Sequence, residues 1–172
     1  KFCPFCTVPL KTRLEEKIER EYCPKCGWVH YLNPAPAAAV IIEEKGKVLL
    51  VQRKFDPWKG LWQCPAGFVE WDETPEETAI RETEEEVGVK VKLSGIFDVK
   101  LITDDPRQNI IVIFFNGEIV SGVPRAGDDA SQVHWFQLDN LPLFGSRQHK
   151  IVLEKLKKEL EQKNLTRNGK FL

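Results

Sequence analysis

The apolar positions fall into short blocks separated by turn residues, and the spacing within the blocks changes along the chain. "AAAVIIEE" and "KVLLVQRK" are β-like runs divided by Lys45-Gly46, which predicts two strands joined as a hairpin. "VKVKLSGIFDVKLI" and "NIIVIFFNGEIV" predict two more strands, the second apolar enough to lie centrally in a sheet. "QVHWFQLDNLP" reads as a strand followed by a turn, and "DPWKGLWQCPAG" as a loop with a short strand near Leu61 to Cys64. Two segments have helical period. The first is bounded by Thr74 as N-cap, Pro75 at N1, Glu77 at N3 closing a capping box, and Gly88 at C′. The second runs from Ser146 to about Lys163, with Val152, Leu156 and Leu160 on one stripe and Lys155, Lys157 and Lys158 on a solvated face. The tail "NLTRNGKFL" is expected to fray. Strands interleaved with a central and a terminal helix predict a mixed α/β sandwich.

On a wheel of about 100° per residue, Ala79, Ile80, Thr83 and Val87 of the first helix face the core, while Glu82, Glu85 and Glu86 share the adjacent arc. Glu76 and Glu77 are ordinary, because acids suit a first turn. The final turn breaks that rule. Anions there oppose the helix dipole, and each like-charge i,i+4 pair costs about 0.2–0.5 kcal/mol more. Arg81 offsets part of this through Glu77 or Glu85. The cluster is either a solvated acidic face or a site for a hard cation, for which Mg²⁺ suits oxygen ligands best. A rule broken on an otherwise well-capped helix points to function. Gly67, in "PAGFVE", lets the backbone approach a ligand or metal closely. Glu73 and Arg81, eight residues apart, are placed to pair and fix the loop against the helix.

The 172 residues allow one ordinary domain and a small appendage. The appendage carries "CPFC" (Cys3, Cys6) and "CPKCG" (Cys23, Cys26), with sixteen residues between the pairs. Two CxxC turns supply the four thiolates of a tetrahedral structural Zn²⁺ site, iron being the alternative, with no ligand position left open. Disulfides or a redox pair fit less well, the first for want of a secretory context and the second for want of a thioredoxin-like pattern. The spacer is too polar to make a core, so the metal would hold the fold. "YLNPAPAAAV" marks the boundary, with Pro34 and Pro36 as a stiff link. Cys64 reads as a buried packing residue. Net charge is −1 with both signs mixed, which gives no basis for constitutive binding to nucleic acid or an anionic membrane. No apolar run approaches a membrane span, and "KFCPFC" lacks the apolar segment of a signal peptide, so a cytoplasmic protein is expected. With no methionine in the chain, the initiator is expected to have been lost or trimmed.

From Gly67 the segment fits G-x5-E-x7-R-E-U-x-E-E-x-G-U through Gly67, Glu73, Arg81, Glu82, Glu85, Glu86, Gly88 and Val89. It resembles the Nudix box of the Nudix hydrolases, and departs from it at Thr83, where the family usually has an aliphatic residue. With "GLWQCPAG" before the box and "VHWFQLDNLP" after it, the likeness covers about residues 35 to 160. The four-Cys ribbon resembles that of the branch containing NADH-, FAD- and ADP-ribose-pyrophosphatase-like proteins. The resemblance implies an α/β fold: a Nudix-type α/β/α sandwich with a mixed sheet over residues 34–172, preceded by a small zinc ribbon over residues 1–33. It implies Mg²⁺ (or Mn²⁺) on Glu82, Glu85 and Glu86 with the Ala66 carbonyl, Glu82 or another acid activating water, and Glu73 with Arg81 as an orienting pair. A further acid on the loop before "VHWF" would be Asp128 or, preferred, Asp129; Arg53 would contact phosphate, as a solvated arginine otherwise. The implied reaction is metal-dependent hydrolysis of a nucleoside diphosphate linked to another moiety, giving a nucleoside monophosphate and a phosphorylated fragment. Family habit also leaves room for a homodimer.

The substrate is less legible. The S-Q-P-W-P-F-P-type element of the NADH pyrophosphatases is missing from "VKLITDDPRQNIIVIFF", which keeps only Pro106, and this counts against NADH. Pro106 follows Val89 by seventeen residues, a spacing seen in ADP-ribose-type members and equally explained by a turn. Trp58, Trp62 and Phe68 are candidates to stack on a base, with core packing as the competing role. Nucleoside triphosphate clean-up and a non-catalytic nucleotide sensor are the alternatives, the intact box weighing against the sensor.

Overall fold

The computed structural model describes residues 1–127 and 129–168; the candidate Asp128 and residues 169–172 lie outside them. The chain forms two compact units that divide between Asn33 and Pro34. In the first, β1 (Lys11–Glu15) and β2 (Ile18–Tyr22) form an antiparallel hairpin, and β3 (Val29–His30) pairs with β2.

The second unit opens with β4 (Ala35–Glu44) and β5 (Lys47–Arg53), joined at Lys45 and Gly46 as expected. Both turn residues have positive φ, 51° and 78°, the geometry of a tight hairpin. Strand β4 begins at Ala35, so Pro36 lies inside the strand rather than in a link, in register with Ile111. The two strands pair only beside their turn, Glu43 with Val48 and Glu44 with Lys47, and then part. The short strands β6 (Trp62–Gln63) and β7 (Ala66–Phe68) line the two arms of this fork, β6 on β5 and β7 on β4. Helix α1 (Pro75–Val87) leads into β8 (Val89–Ile102), followed by β9 (Ile110–Gly122), β10 (Ala130–Gln137) and α2 (Arg147–Asn168). The main strand order is β10-β5-β4-β9-β8; β4 and β9 run parallel and the remaining pairs antiparallel, so the sheet is mixed.

The apolar run in β4 is unbroken because both its faces are covered. Ala38, Val40 and Ile42 join Ala79 and Val87 of α1 in one core, while Ala37, Ala39 and Ile41 join Val152, Leu153 and Leu156 of α2 in the other. The result is the α/β/α sandwich. Two further expectations are corrected. Ile80 is 38% exposed; the buried face of α1 is Thr78, Ala79, Thr83, Glu86 and Val87, turned toward the acidic arc because β7 packs beside it. Residues 164–168 continue α2 instead of fraying. Lys155, Lys157 and Lys158 lie on the solvated face as expected, with Lys155 donating to Asp98 at 3.0 Å and Lys157 to Asp139 at 2.5 Å in surface pairs.

The first turn of α2 buries His149. Its Nδ1 accepts the Cys64 N–H at 3.2 Å, which fixes the neutral ring, and burial pushes its pKa down to about 4. The unfolded chain binds this proton near pH 6.5 and the folded chain does not, so stability should fall as pH drops from about 6.5 to 4, by up to about 3 kcal/mol. His149→Gln should flatten that slope in urea titrations at pH 7 and pH 4.5, and an unchanged slope would assign the acid sensitivity to other groups.

Candidate active site and metal centres

The four cysteines sit on two similar turns. The Cys3 carbonyl accepts the Thr7 N–H at 2.9 Å and the Cys23 carbonyl accepts the Gly27 N–H at 3.0 Å, with Thr7 and Gly27 both left-handed at φ 55° and 78°. These knuckles bring all four sulfurs within 4.8 Å of one another, with separations of 3.3, 3.7 and 3.8 Å recorded for three pairs. A tetrahedron of thiolates around zinc, with bonds of about 2.3 Å, has edges of about 3.8 Å. A disulfide needs about 2.05 Å. The donor set therefore fits a four-sulfur metal.

In the second unit the signals around α1 are all realised. The Thr74 side chain accepts the Glu77 N–H, the Glu77 carboxylate accepts the Thr74 N–H, and Gly88 closes the helix with φ 72°. Glu73 and Arg81 form a fork-to-fork pair, Nε to Oε1 at 2.6 Å and Nη2 to Oε2 at 2.8 Å. With the Thr78 hydroxyl added, this pairing holds Glu73 down at a pKa of about 2 and Arg81 above its already high value. Arg81 also donates through Nη1 to Glu82 at 2.7 Å and Glu85 at 3.0 Å, leaving Glu77 to the cap. Thr83 is fully buried, and its hydroxyl donates to the Ala79 carbonyl at 2.7 Å, so the departure from the family pattern is satisfied within the helix.

The three late glutamates do not behave as one group. Glu86 is 5% exposed and accepts the Ala66 N–H at 2.9 Å. Glu82 stands against Gly67, where a Cβ would overlap its carboxylate; Gly67 is required by that anion, and its φ is not left-handed. Glu85 is turned outward to Arg81. Among the described residues, only the four cysteines gather three or more ligand side chains within 4.8 Å. Burial, then repulsion from Glu82 and Asp129, pushes Glu86 up to about 8, and burial also raises Glu82. Asp129 is thus coupled to both, and its carbonyl accepts the Lys54 N–H at 2.9 Å at the end of β5. Arg53, held by the Pro57 carbonyl at 2.7 Å and Gln63 at 3.2 Å, is the cation facing this group. A buried carboxylate repelled by two others, with Arg81 already committed to Glu73, is an environment that a divalent cation would relieve.

One cleft is lined by Arg53, Trp58, Ala66, Gly67, Phe68, Asp105, Arg107 and His149. Asp105, Arg107 and His149 escaped sequence reasoning as parts of it. Arg107 clamps the buried Asp105 carboxylate at 2.8 and 3.0 Å and lies 5.9 Å from the Phe68 ring. The Asp105-Pro106-Arg107 spacing held a signal for it, since a carboxylate and an arginine two apart around a proline can close on each other. His149 sat unmarked inside an amphipathic helix. Trp62 packs against Phe136 and the core, whereas Trp58 and Phe68 line the cleft. Cys64 is buried and its thiol is pushed up to about 12, as suits packing.

The chain belongs to the Nudix hydrolase family: the NUDIX domain matches residues 32–156, and the Nudix N-terminal zinc ribbon matches residues 1–32. It is 42% identical over 123 residues to an ADP-ribose pyrophosphatase of Methanocaldococcus jannaschii, covering 71% of this chain and 73% of that one. It is 32% identical over 153 residues to the NAD-capped RNA hydrolase NudC of Stutzerimonas stutzeri, covering 86% of this chain but only 52% of that protein. A NUDIX hydrolase from Nitrosomonas europaea superposes with a TM-score of 0.81 at 30% identity, over 94% of this chain and 93% of the other. No helix among the described residues is long and apolar enough to cross a membrane.

Glu86 yields a direct stability test. The unfolded carboxyl titrates near 4.5 and the folded one near 8. Its burial therefore costs nothing at low pH and up to about 3 kcal/mol by pH 7. Glu86→Gln keeps an acceptor for the Ala66 N–H and removes the charge. In metal-free buffer its Tm should exceed that of the parent at pH 7 and match it near pH 4.

Proposed function

We propose that this protein hydrolyses a phosphoanhydride within a nucleoside diphosphate joined to a second group, with ADP-ribose the leading substrate and FAD next. The observation that carries the reading is Arg53: it feels the Glu86 and Asp129 carboxylates and lines a cleft together with Ala66, Gly67, Phe68, Asp105 and Arg107. An aromatic ring and a second ion pair beside the cation suit a diphosphate that carries a group on each side. The relatives named for ADP-ribose and for NAD-capped RNA cleave two-sided diphosphates by name, which supports the same class. Because the chain spans about half of the NudC relative, RNA capped with NAD belongs in the test panel without being presumed. NADH ranks lower because a charged Asp105–Arg107 pair occupies the loop after β8.

In this reading Glu82, Glu85 and Glu86, with the Ala66 carbonyl, hold Mg²⁺ or Mn²⁺. A divalent ion there supplies neutralisation of the diphosphate charge that otherwise repels a nucleophile. Arg53 binds a phosphate oxygen. Glu82 or Asp129 takes a proton from water as its oxygen bonds to phosphorus and the bridging P–O bond breaks, which leaves a nucleoside monophosphate and a phosphorylated fragment. Glu73 and Arg81 hold the loop before α1 against the helix, and Gly67 leaves room for the Glu82 carboxylate. The residues 1–33 bind Zn²⁺ through Cys3, Cys6, Cys23 and Cys26 as a structural ion.

Turnover of ADP-ribose, FAD, NADH, NAD-capped RNA and nucleoside triphosphates with Mg²⁺, with the products identified, tests the assignment. AMP and ribose 5-phosphate from ADP-ribose are expected, and tight binding with no cleavage of any panel member would favour a sensor. Glu85→Gln should lower kcat by about 100-fold or more while leaving Tm unchanged or raised, since a neutral amide oxygen holds a divalent cation far more weakly than a carboxylate and does not open the core. Loss of folding would make Glu85 structural. Chelation of the sulfur-bound metal should unfold residues 1–33, followed by amide exchange, before turnover with excess Mg²⁺ declines. Simultaneous loss of both would mean that the ribbon completes the active site.

A further inference from the structure

The C-terminal end of α1 is capped twice, and the second cap comes from another part of the chain. Besides the Gly88 N–H on the Glu84 carbonyl, Arg125 N–H donates to the Val87 carbonyl at 2.8 Å and Gly127 N–H to the Glu86 carbonyl at 3.2 Å. The Arg125 side chain lies across Gly88, where an added Cβ would stand 2.9 Å from Arg125 Cγ. A Cβ on Gly127 would overlap the Glu85 carbonyl, so only glycine lets the loop come this near. Beyond that contact the Gly127 carbonyl accepts the Ala130 N–H at 2.8 Å, and the Asp129 carbonyl accepts the Lys54 N–H at 2.9 Å. Asp129 is therefore held between the end of α1 and the end of β5, the two elements that carry Glu82, Glu86 and Arg53.

We infer that the segment after β9 is an arm clamped to the last carbonyls of α1 by the Arg125 and Gly127 amides, and that this clamp sets how the Asp129 carboxylate approaches Glu82 and Glu86. Gly127 is then a positioning residue. This rests on the hydrolase reading above for the role of Asp129, whereas the clamp itself is a property of the fold. The arm also supplies what the sequence of α1 lacks, donors and a cation at a helix terminus crowded with anions.

Two measurements on the full chain test it. Amide hydrogen exchange should show the Arg125 and Gly127 N–H groups protected to the same order as the last turn of α1. With Mg²⁺ and ADP-ribose, Gly127→Ala should lower kcat about tenfold or more and leave KM within about twofold, because a shifted carboxylate harms the reaction more than binding. In an Asp129→Asn background the same change should alter the residual kcat by less than about twofold, since its effect acts through Asp129. Should Gly127→Ala fail to fold, Asp129→Glu substitutes for it: a fixed arm cannot retract to accommodate one more methylene, and kcat should fall about tenfold or more. Rapid exchange at Arg125 and Gly127 in a working enzyme overturns the arm alone. An undiminished penalty for Gly127→Ala beside Asp129→Asn, or an Asp129→Glu rate within about threefold of the parent, overturns the positioning role. Protected amides in a protein that cleaves no diphosphate overturn the function and the positioning role together.

Discussion

The contact of α1 with β7 is the constraint on which the cleft depends. Strand β7 offers a bare backbone at Gly67 and a donor at Ala66, and α1 presses two carboxylates onto those two features. The Glu73–Arg81 fork fixes the loop between them, so the strand, the loop and the helix form a closed mechanical unit. The fork between β4 and β5 then places this unit where a ligand can reach it. If the two strands paired along their full length, the space now lined by β6 and β7 would be closed by a continuous ladder. The cleft is thus a consequence of a hairpin that separates after two pairs of residues.

The elements built from local rules were legible in the sequence. The capping box, Pro75 and Gly88 bound α1 without help from the rest of the chain, and Lys45-Gly46 specified its hairpin by backbone chemistry alone. The apolar run of "NIIVIFFNGEIV" announced a central strand, and β9 does lie between β4 and β8. What the pattern left undetermined was rotation and distance. A helical wheel counts periodicity about an axis but knows nothing of β7, so it placed Ile80 on the core arc and Glu86 on the arc beside it, whereas Ile80 is exposed and Glu86 nearly enclosed. The wheel likewise put Glu82, Glu85 and Glu86 on one arc without showing that Glu86 is buried while Glu85 pairs with Arg81. Contacts that join distant parts of the chain had no local signature, which is why the His149–Cys64 bond and the clamp from Arg125 and Gly127 to α1 went unread.

The acidic end of α1 shows what the site sets against stability. Peptide dipoles, burial and neighbouring carboxylates all oppose a charge on Glu86, while Ala66 and Arg53 favour it only in part. His149 is the opposite case on the other face of the sheet: burial keeps it neutral, and the neutral ring is the form its hydrogen bond requires. One buried titratable group is content with its protonation state and the other is not. A fold selected for stability alone would have no use for the second. A carboxyl that burial forces to take up a proton is one that a nearby cation would return to its charged form.

The two donor clusters differ in the way their proposed tasks require. Four thiols whose separations already match the edges of a tetrahedron leave no coordination position to share, and such a site can only hold a fold together. The carboxylates near Arg53 are not drawn to that spacing, and they belong to α1 and to the segment leading into β10 rather than to one compact turn. Oxygen ligands spread across separate elements leave gaps, and gaps are what a hydrolytic site needs if substrate and water oxygens are to complete the shell. A polar, incomplete ligand set beside an arginine and a cleft is therefore a better sign of catalysis than a tight acidic cluster would have been. A tight cluster would bind its ion so fully that the diphosphate had nowhere to enter.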